Sequence, residues 1–198
     1  MGALGGVHAP GATPTDPDEV AGLIPSHITL QVELNDWEAA NIQAGHRWAL
    51  HGKYRGDILS EDYVRKLHEH MFDKTWKWAG TFRKSEKSIG VEPSRIAVAL
   101  RDLLEDVKVQ SEFKHYSIEE MAARLHHRLV LIHPFPNGNG RHARLFTDVF
   151  LLRQGSKPFS WGSNVNLTKP SQVRAAYIAA LQAADRKDIG PLLAFVQA

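Results

Sequence analysis

The chain predicts a mostly α-helical fold with one short hairpin as its β element, and three features of its 198 residues carry that expectation. Apolar residues recur at three- and four-residue intervals in most of the segments beyond residue 33. The segment 75–92 breaks that period with aromatics, lysines and two glycines, and a Gly-bearing polar loop at 133–144 joins two strongly apolar helical stretches.

Hydrophobic residues at 43% and charged residues at 23% place the chain among ordinary globular proteins, and its length suits one compact domain with a short appendage. A formal charge of +2, with no dense Lys/Arg run, argues against direct nucleic-acid binding. The absence of cysteine excludes disulfides, thiolate metal sites and a cysteine nucleophile, and fits a reducing compartment. No basic segment followed by an apolar core opens the chain, and no window approaches the roughly 18 apolar residues a bilayer span needs. A cytoplasmic protein without membrane contact is the expectation.

Residues 1–18 are rich in Gly, Ala and Pro and read as an arm, so that 1–33 forms an N-terminal, regulatory segment and 34–198 the domain. Leu34, Trp37, Ile42 and Trp48 share one helical face that ends near Gly52. Ser60, followed by Glu61 and Asp62, is an N-cap with an acidic first turn, and Val64, Leu67 and Met71 supply the stripe behind it. After Pro93 and Ser94, the positions Ile96, Leu100, Leu103, Leu104 and Val107 form the next helix. Ser117 with Glu120 makes a capping box ahead of Met121, Leu125, Leu129 and Ile132, and that helix stops at His133 and Pro134. A helix over 139–153 follows the polar loop, and two more patterns run over 170–184 and 188–196.

Chemistry concentrates in the stretch from His133 to Arg144, HPFPNGNGRHAR. Gly138 and Gly140 permit positive φ and close backbone approach, so successive N–H groups can converge on an anion where the following helix begins. Arg141 and Arg144 lie three apart on the first turn of that helix, facing the same cradle. Cations there oppose the macrodipole at a cost of up to ~1 kcal/mol each, so this placement calls for a polyphosphate between them. His133, at the mouth of the loop, is the natural proton acceptor, because an imidazole titrates near neutrality. Four of the other histidines, His68, His70, His126 and His127, lie within helical stretches, lack HExxH spacing and read as core or surface polar residues; no zinc site is assigned.

The loop resembles the signature of Fic-domain proteins of the Fic/Doc superfamily, HPFx[DE]GNGRxxR, and matches it at every fixed position except Asn137. Upstream, WKWAGTFRKSEKSIGV is similar to the WAGxxR…IG segment that forms the family's hairpin flap, so the resemblance covers about 60–155. The phrase GATPTDPDEVAGLIPSHI and the general layout are similar to the subfamily called mobile mystery protein B.

The resemblance implies a Fic-type helical bundle that transfers AMP from ATP to a Ser, Thr or Tyr hydroxyl of a target protein or of itself. On this pattern His133 is the base, and Gly138, Asn139 and Gly140 hold the α- and β-phosphates through backbone N–H groups and the Asn139 amide. Arg141 and Arg144 bind the outer phosphates, with Arg141 also counted as catalytic. Lys84, Ser88, Ile89, Gly90 and Val91 of the flap take the target as an added strand. Asn137 stands where active members carry an acidic Mg²⁺ ligand, so metal affinity or rate is expected to suffer. The alternatives are transfer of another group, UMP, phosphocholine or γ-phosphate, and a module that binds nucleotide or partner without catalysis. Retention of the GNG glycines favours AMP. Many relatives are silenced by [ST]xxxE[GN]; Thr15 to Glu19 is the nearest match, making Glu19 the candidate inhibitory residue against Arg144. A small helix-turn-helix, antitoxin-like companion is the alternative means of control and fits a toxin–antitoxin pair.

Overall fold

A computed structural model describes residues 20–51, 54–162, 167 and 171–198, so Glu19 and the arm before it lie outside the described residues. The described chain is a bundle of α1 (Gln31–His51), α2 (Glu61–Phe72), α3 (Ile96–Phe113), α4 (Ile118–Ile132), α5 (Asn139–Arg153), α6 (Gln172–Asp185) and α7 (Gly190–Gln197).

Each boundary has a local cause. Ser60 accepts the Tyr63 N–H at 3.2 Å to open α2, and Ser117 accepts the Glu120 N–H at 3.1 Å to open α4. Residues 93–95 make one 3₁₀ turn into α3, whose last carbonyls are closed by Lys114 in the left-handed region. α1 starts three residues earlier than its apolar stripe suggested.

α4 and α5 pack side by side, flanked by α3 and α2, with α1 laid over α2 and α6–α7 closing the other end. Their facing stripes form one core around Leu67, Met71, Leu100, Leu125, Phe146 and Phe150. A second, smaller core holds Tyr177, Leu192 and Val196. Burying α4 and α5 against each other fixes both ends of the loop between them, which is what the site requires.

Two expectations change. The segment before residue 33 is partly built into the domain: residues 22–24 pair with 75–77, Leu23 bridging Trp76, and Ile28 is buried in the core. The hairpin over 80–92 is not formed as paired strands. Instead the Arg83 N–H donates to the Pro134 carbonyl at 2.9 Å and the Val91 N–H to the Ile132 carbonyl at 3.3 Å. The Arg83 guanidinium takes the Ser85 carbonyl at 2.9 Å and also that of Val91. Backbone groups a partner strand would use are thus committed to the motif loop and to one arginine.

Candidate active site

His133 is the C-terminal cap of α4 in the left-handed region, φ 53° and ψ 59°, a conformation that costs a non-glycine residue about 1–2 kcal/mol. Its carbonyl accepts from Arg83 Nε at 2.7 Å, which holds the strained turn from the flap side. Gly90 seats that clamp: with φ 120°, it leaves no room for a Cβ, which would lie 2.5 Å from the Arg83 guanidinium and 2.9 Å from His133 Cβ.

The His133 side chain is 5% exposed, and burial, with Arg83 and Lys87 nearby, pulls its pKa down to about 4. At neutral pH the ring is therefore uncharged. Nδ1 lies 3.3 Å from the Val130 carbonyl, which can only accept, so Nδ1 carries the proton and Nε2 the lone pair. That is the tautomer a proton acceptor needs.

The loop is wired internally. Phe135 is fully buried and stacks on His68 with ring centroids 3.7 Å apart. His68 accepts the Gly80 N–H on Nδ1 at 3.0 Å, so its Nε2 donates to the Asn137 carbonyl at 3.0 Å. A histidine read as a plain core residue thus joins the flap segment to the loop, and burial keeps its pKa well below the usual value. Gly138, at φ 78°, caps α5; a Cβ there would lie 2.5 Å from the Phe72 ring, which makes glycine obligatory. Gly140 is different. A Cβ at Gly140 would meet Arg144 Nη1 only at 3.7 Å, so its glycine keeps a face open beside that arginine. The first turn of α5 contributes N–H groups that no helix carbonyl can satisfy, pointed into the same space.

Three site expectations need correction. The Asn139 amide does not face the cradle: its Oδ1 accepts the Phe135 N–H at 2.9 Å and its Nδ2 donates to the Phe135 carbonyl at 2.8 Å, a buried staple that closes the loop. Arg141 is not an uncompensated cation. Its Nη1 donates to Glu38 of α1 at 2.7 Å, its Nη2 lies 3.5 Å from Asn137 Oδ1, and its Cζ sits 5.0 Å from the Phe72 ring centroid. Asn137 does not present a metal site. Its Oδ1 accepts the Gly138 N–H at 2.6 Å and faces the Arg141 cation, an environment of donors, and no group of three metal-binding side chains occurs among the described residues. With its oxygen facing these donors, Asn137 offers no charged oxygen to Mg²⁺, which would lean on its waters and on the nucleotide's phosphates.

Arg144 points toward the C-terminal helices. Its Cζ lies 5.9 Å from the centre of the Tyr177 ring, whose hydroxyl meets His126 Nε2 at 2.8 Å. His133, Gly138, Gly140, Arg141 and Arg144 are brought together, with Lys84, Ser88, Ile89 and Gly90 exposed alongside and Val91 half-buried against α4. Glu38, Arg83, His68 and Tyr177 were missed. Only Arg83 carried a signal, the arginine of the WAGxxR phrase.

Residues 58–151 match the model of the Fic/DOC family. The chain is 30% identical over 145 residues to the protein adenylyltransferase fic-1 of Caenorhabditis elegans, covering 71% of this chain and 27% of that protein. The solved structure of Fic-1 residues 134–508 from the same organism superposes with a TM-score of 0.66 at 26% identity, over 90% of this chain and 51% of that one. BepC from Bartonella tribocorum, solved with bound AMPPNP, gives 0.62 at 19% identity over 92% and 97%, a likeness of fold. The chain spans about a quarter of the length of the curated relatives cited. No helix among the described residues is long and apolar enough to cross a membrane.

Proposed function

We propose that this chain, whose residues 58–151 match the Fic/DOC family, transfers AMP from ATP to a hydroxyl of a protein. The observation that carries the reading is His133: a neutral imidazole, fixed in the tautomer with its lone pair on Nε2, at the mouth of a loop that ends on the first turn of α5.

In the reaction the target hydroxyl oxygen bonds to the α-phosphorus, the bond from that phosphorus to the bridging oxygen breaks, and pyrophosphate leaves. His133 Nε2 takes the hydroxyl proton. The N–H groups at the start of α5, with Arg141 and Arg144, hold the phosphates so that little but in-line approach remains. The exposed residues from Lys84 to Gly90 are where an extended target segment lies, aligned against a flap whose position Arg83 sets. A small helix-turn-helix partner, or Glu19 of the arm, would supply control.

Intact-protein mass analysis after incubation with ATP tests this. Gain of an adenylyl group is expected; gain of a bare phosphoryl group would refute it. A second reading, nucleotide binding without transfer, is favoured by Asn137, whose amide oxygen is turned to Gly138 and Arg141. Transfer that emerges only in Asn137→Asp would support that second reading.

A further inference from the structure

Glu38 lies in the middle of α1, 103 residues before the arginine it binds, and is 7% exposed. Its two oxygens have different partners. Oε1 accepts from Trp76 Nε1 at 2.7 Å and Oε2 from Arg141 Nη1 at 2.7 Å. One turn on, Asn41 takes the Lys74 N–H at 2.9 Å and the Thr75 hydroxyl at 3.1 Å on Oδ1, and gives Nδ2 to Asp73 at 3.0 Å. α1 therefore grips the turn after α2 with one side chain and reaches past it to α5 with the other.

We infer that Glu38 is a positioning residue for the phosphate site: by holding one edge of the Arg141 guanidinium it presents the other edge to the nucleotide beside Asn137. This rests on the nucleotide-transfer reading. A guanidinium carries five N–H donors in a planar fork, and Glu38 uses the Nη1 edge only. The plane is set from behind by the Phe72 ring, and Nη2 is left on the loop side, 3.5 Å from Asn137 Oδ1. With both oxygens committed and the carboxylate buried, Glu38 cannot swing aside without breaking the Trp76 bond and leaving a charge unpaired. It is a fixed strut. The same contact supplies the anion that the start of α5 needs against Arg141, so that cation is tolerated before nucleotide arrives.

The test is calorimetric titration with AMPPNP of the wild type, Glu38→Gln, Arg141→Ala and the double variant. Glu38→Gln keeps the acceptor for Trp76 and removes the charge that holds Arg141. Its dissociation constant should rise about tenfold, while in the Arg141→Ala background the same change should have no further effect. Equal losses in both backgrounds would mark Glu38 as merely structural and overturn the inference; so would unchanged or tighter binding in Glu38→Gln. If Glu38→Gln does not fold, Glu38→Asp, which keeps the charge but shortens its reach, should show a smaller loss that again depends on Arg141, and an unchanged constant would overturn it. Binding is read apart from transfer, so a wild type that binds AMPPNP but adenylylates nothing defeats the transfer reading and leaves this result standing.

Discussion

The two arginines of the loop sit three residues apart on one helical turn, yet they are held from opposite ends of the chain. Arg141 is paired with a buried carboxylate on α1, whereas Arg144 meets the ring of Tyr177 on α6. Equal spacing thus conceals unequal charge: a guanidinium already paired with Glu38 adds little net field, and one resting on a phenol keeps most of its own. On the proposed function, Arg144 is the cation the cradle offers to a polyphosphate, and Arg141 is a geometric element. Gly140, open on the Arg144 side, fits that division.

The comparison breaks most readily in nucleotide affinity. Arg144→Ala should weaken AMPPNP binding about 100-fold and Arg141→Ala about tenfold, charge-assisted contacts being worth roughly 1.5–3 kcal/mol. Equal losses in titration would erase the distinction. A subtler probe is Tyr177→Phe, which keeps the ring beside Arg144 and removes only the hydroxyl that ties that ring to His126. The dissociation constant should rise about threefold, in keeping with one neutral hydrogen bond, and this increment should vanish when Arg144 is already alanine. A loss that persists there would assign Tyr177 to packing instead.

A third expectation concerns pH, because the motif loop before the two arginines and the helices around it enclose imidazoles kept neutral by burial. His126 is pulled to about 3, His133 and His142 to about 4, and His68 well below its ordinary value. For groups with depressed folded pKa values the unfolded chain binds more protons, so their contribution is full above pH ~6.5 and is lost as pH falls toward 4 and 3. Asp148, pushed up to about 6 by burial, works in the opposite sense and offsets part of the loss. Thermal melts should show the transition temperature falling across pH 6.5 to 4. A flat profile would mean that these rings are not buried neutral, and the tautomer argument for His133 would go with it.

How much was legible in the sequence follows from how far apart the partners lie. α4, α5 and the loop were readable because cap, stripe, glycines and arginines are contiguous from Ser117 to Arg153. The Glu38–Arg141 pair was not, since a glutamate on a helix of ordinary pattern reads as solvated and its partner is 103 residues on. Asn139 was misjudged for a local reason: an amide four residues from Phe135 can close a loop on that residue's own backbone groups, and spacing alone cannot separate this from a ligand contact. The hairpin failed because strand patterning in 80–92 does not reveal that Arg83, buried behind the segment, satisfies the carbonyls a second strand would take.

The most direct measurement is incubation of the wild type and His133→Ala with α-labelled and, separately, γ-labelled ATP. Label from the α-phosphate, and not from the γ-phosphate, should enter protein in the wild type. In His133→Ala it should fall by about 10²–10⁴-fold while AMPPNP binding stays within a factor of about two, as removal of a positioned general base requires. Transfer of the γ-label, or α-label incorporation by His133→Ala at the wild-type rate, would contradict the account.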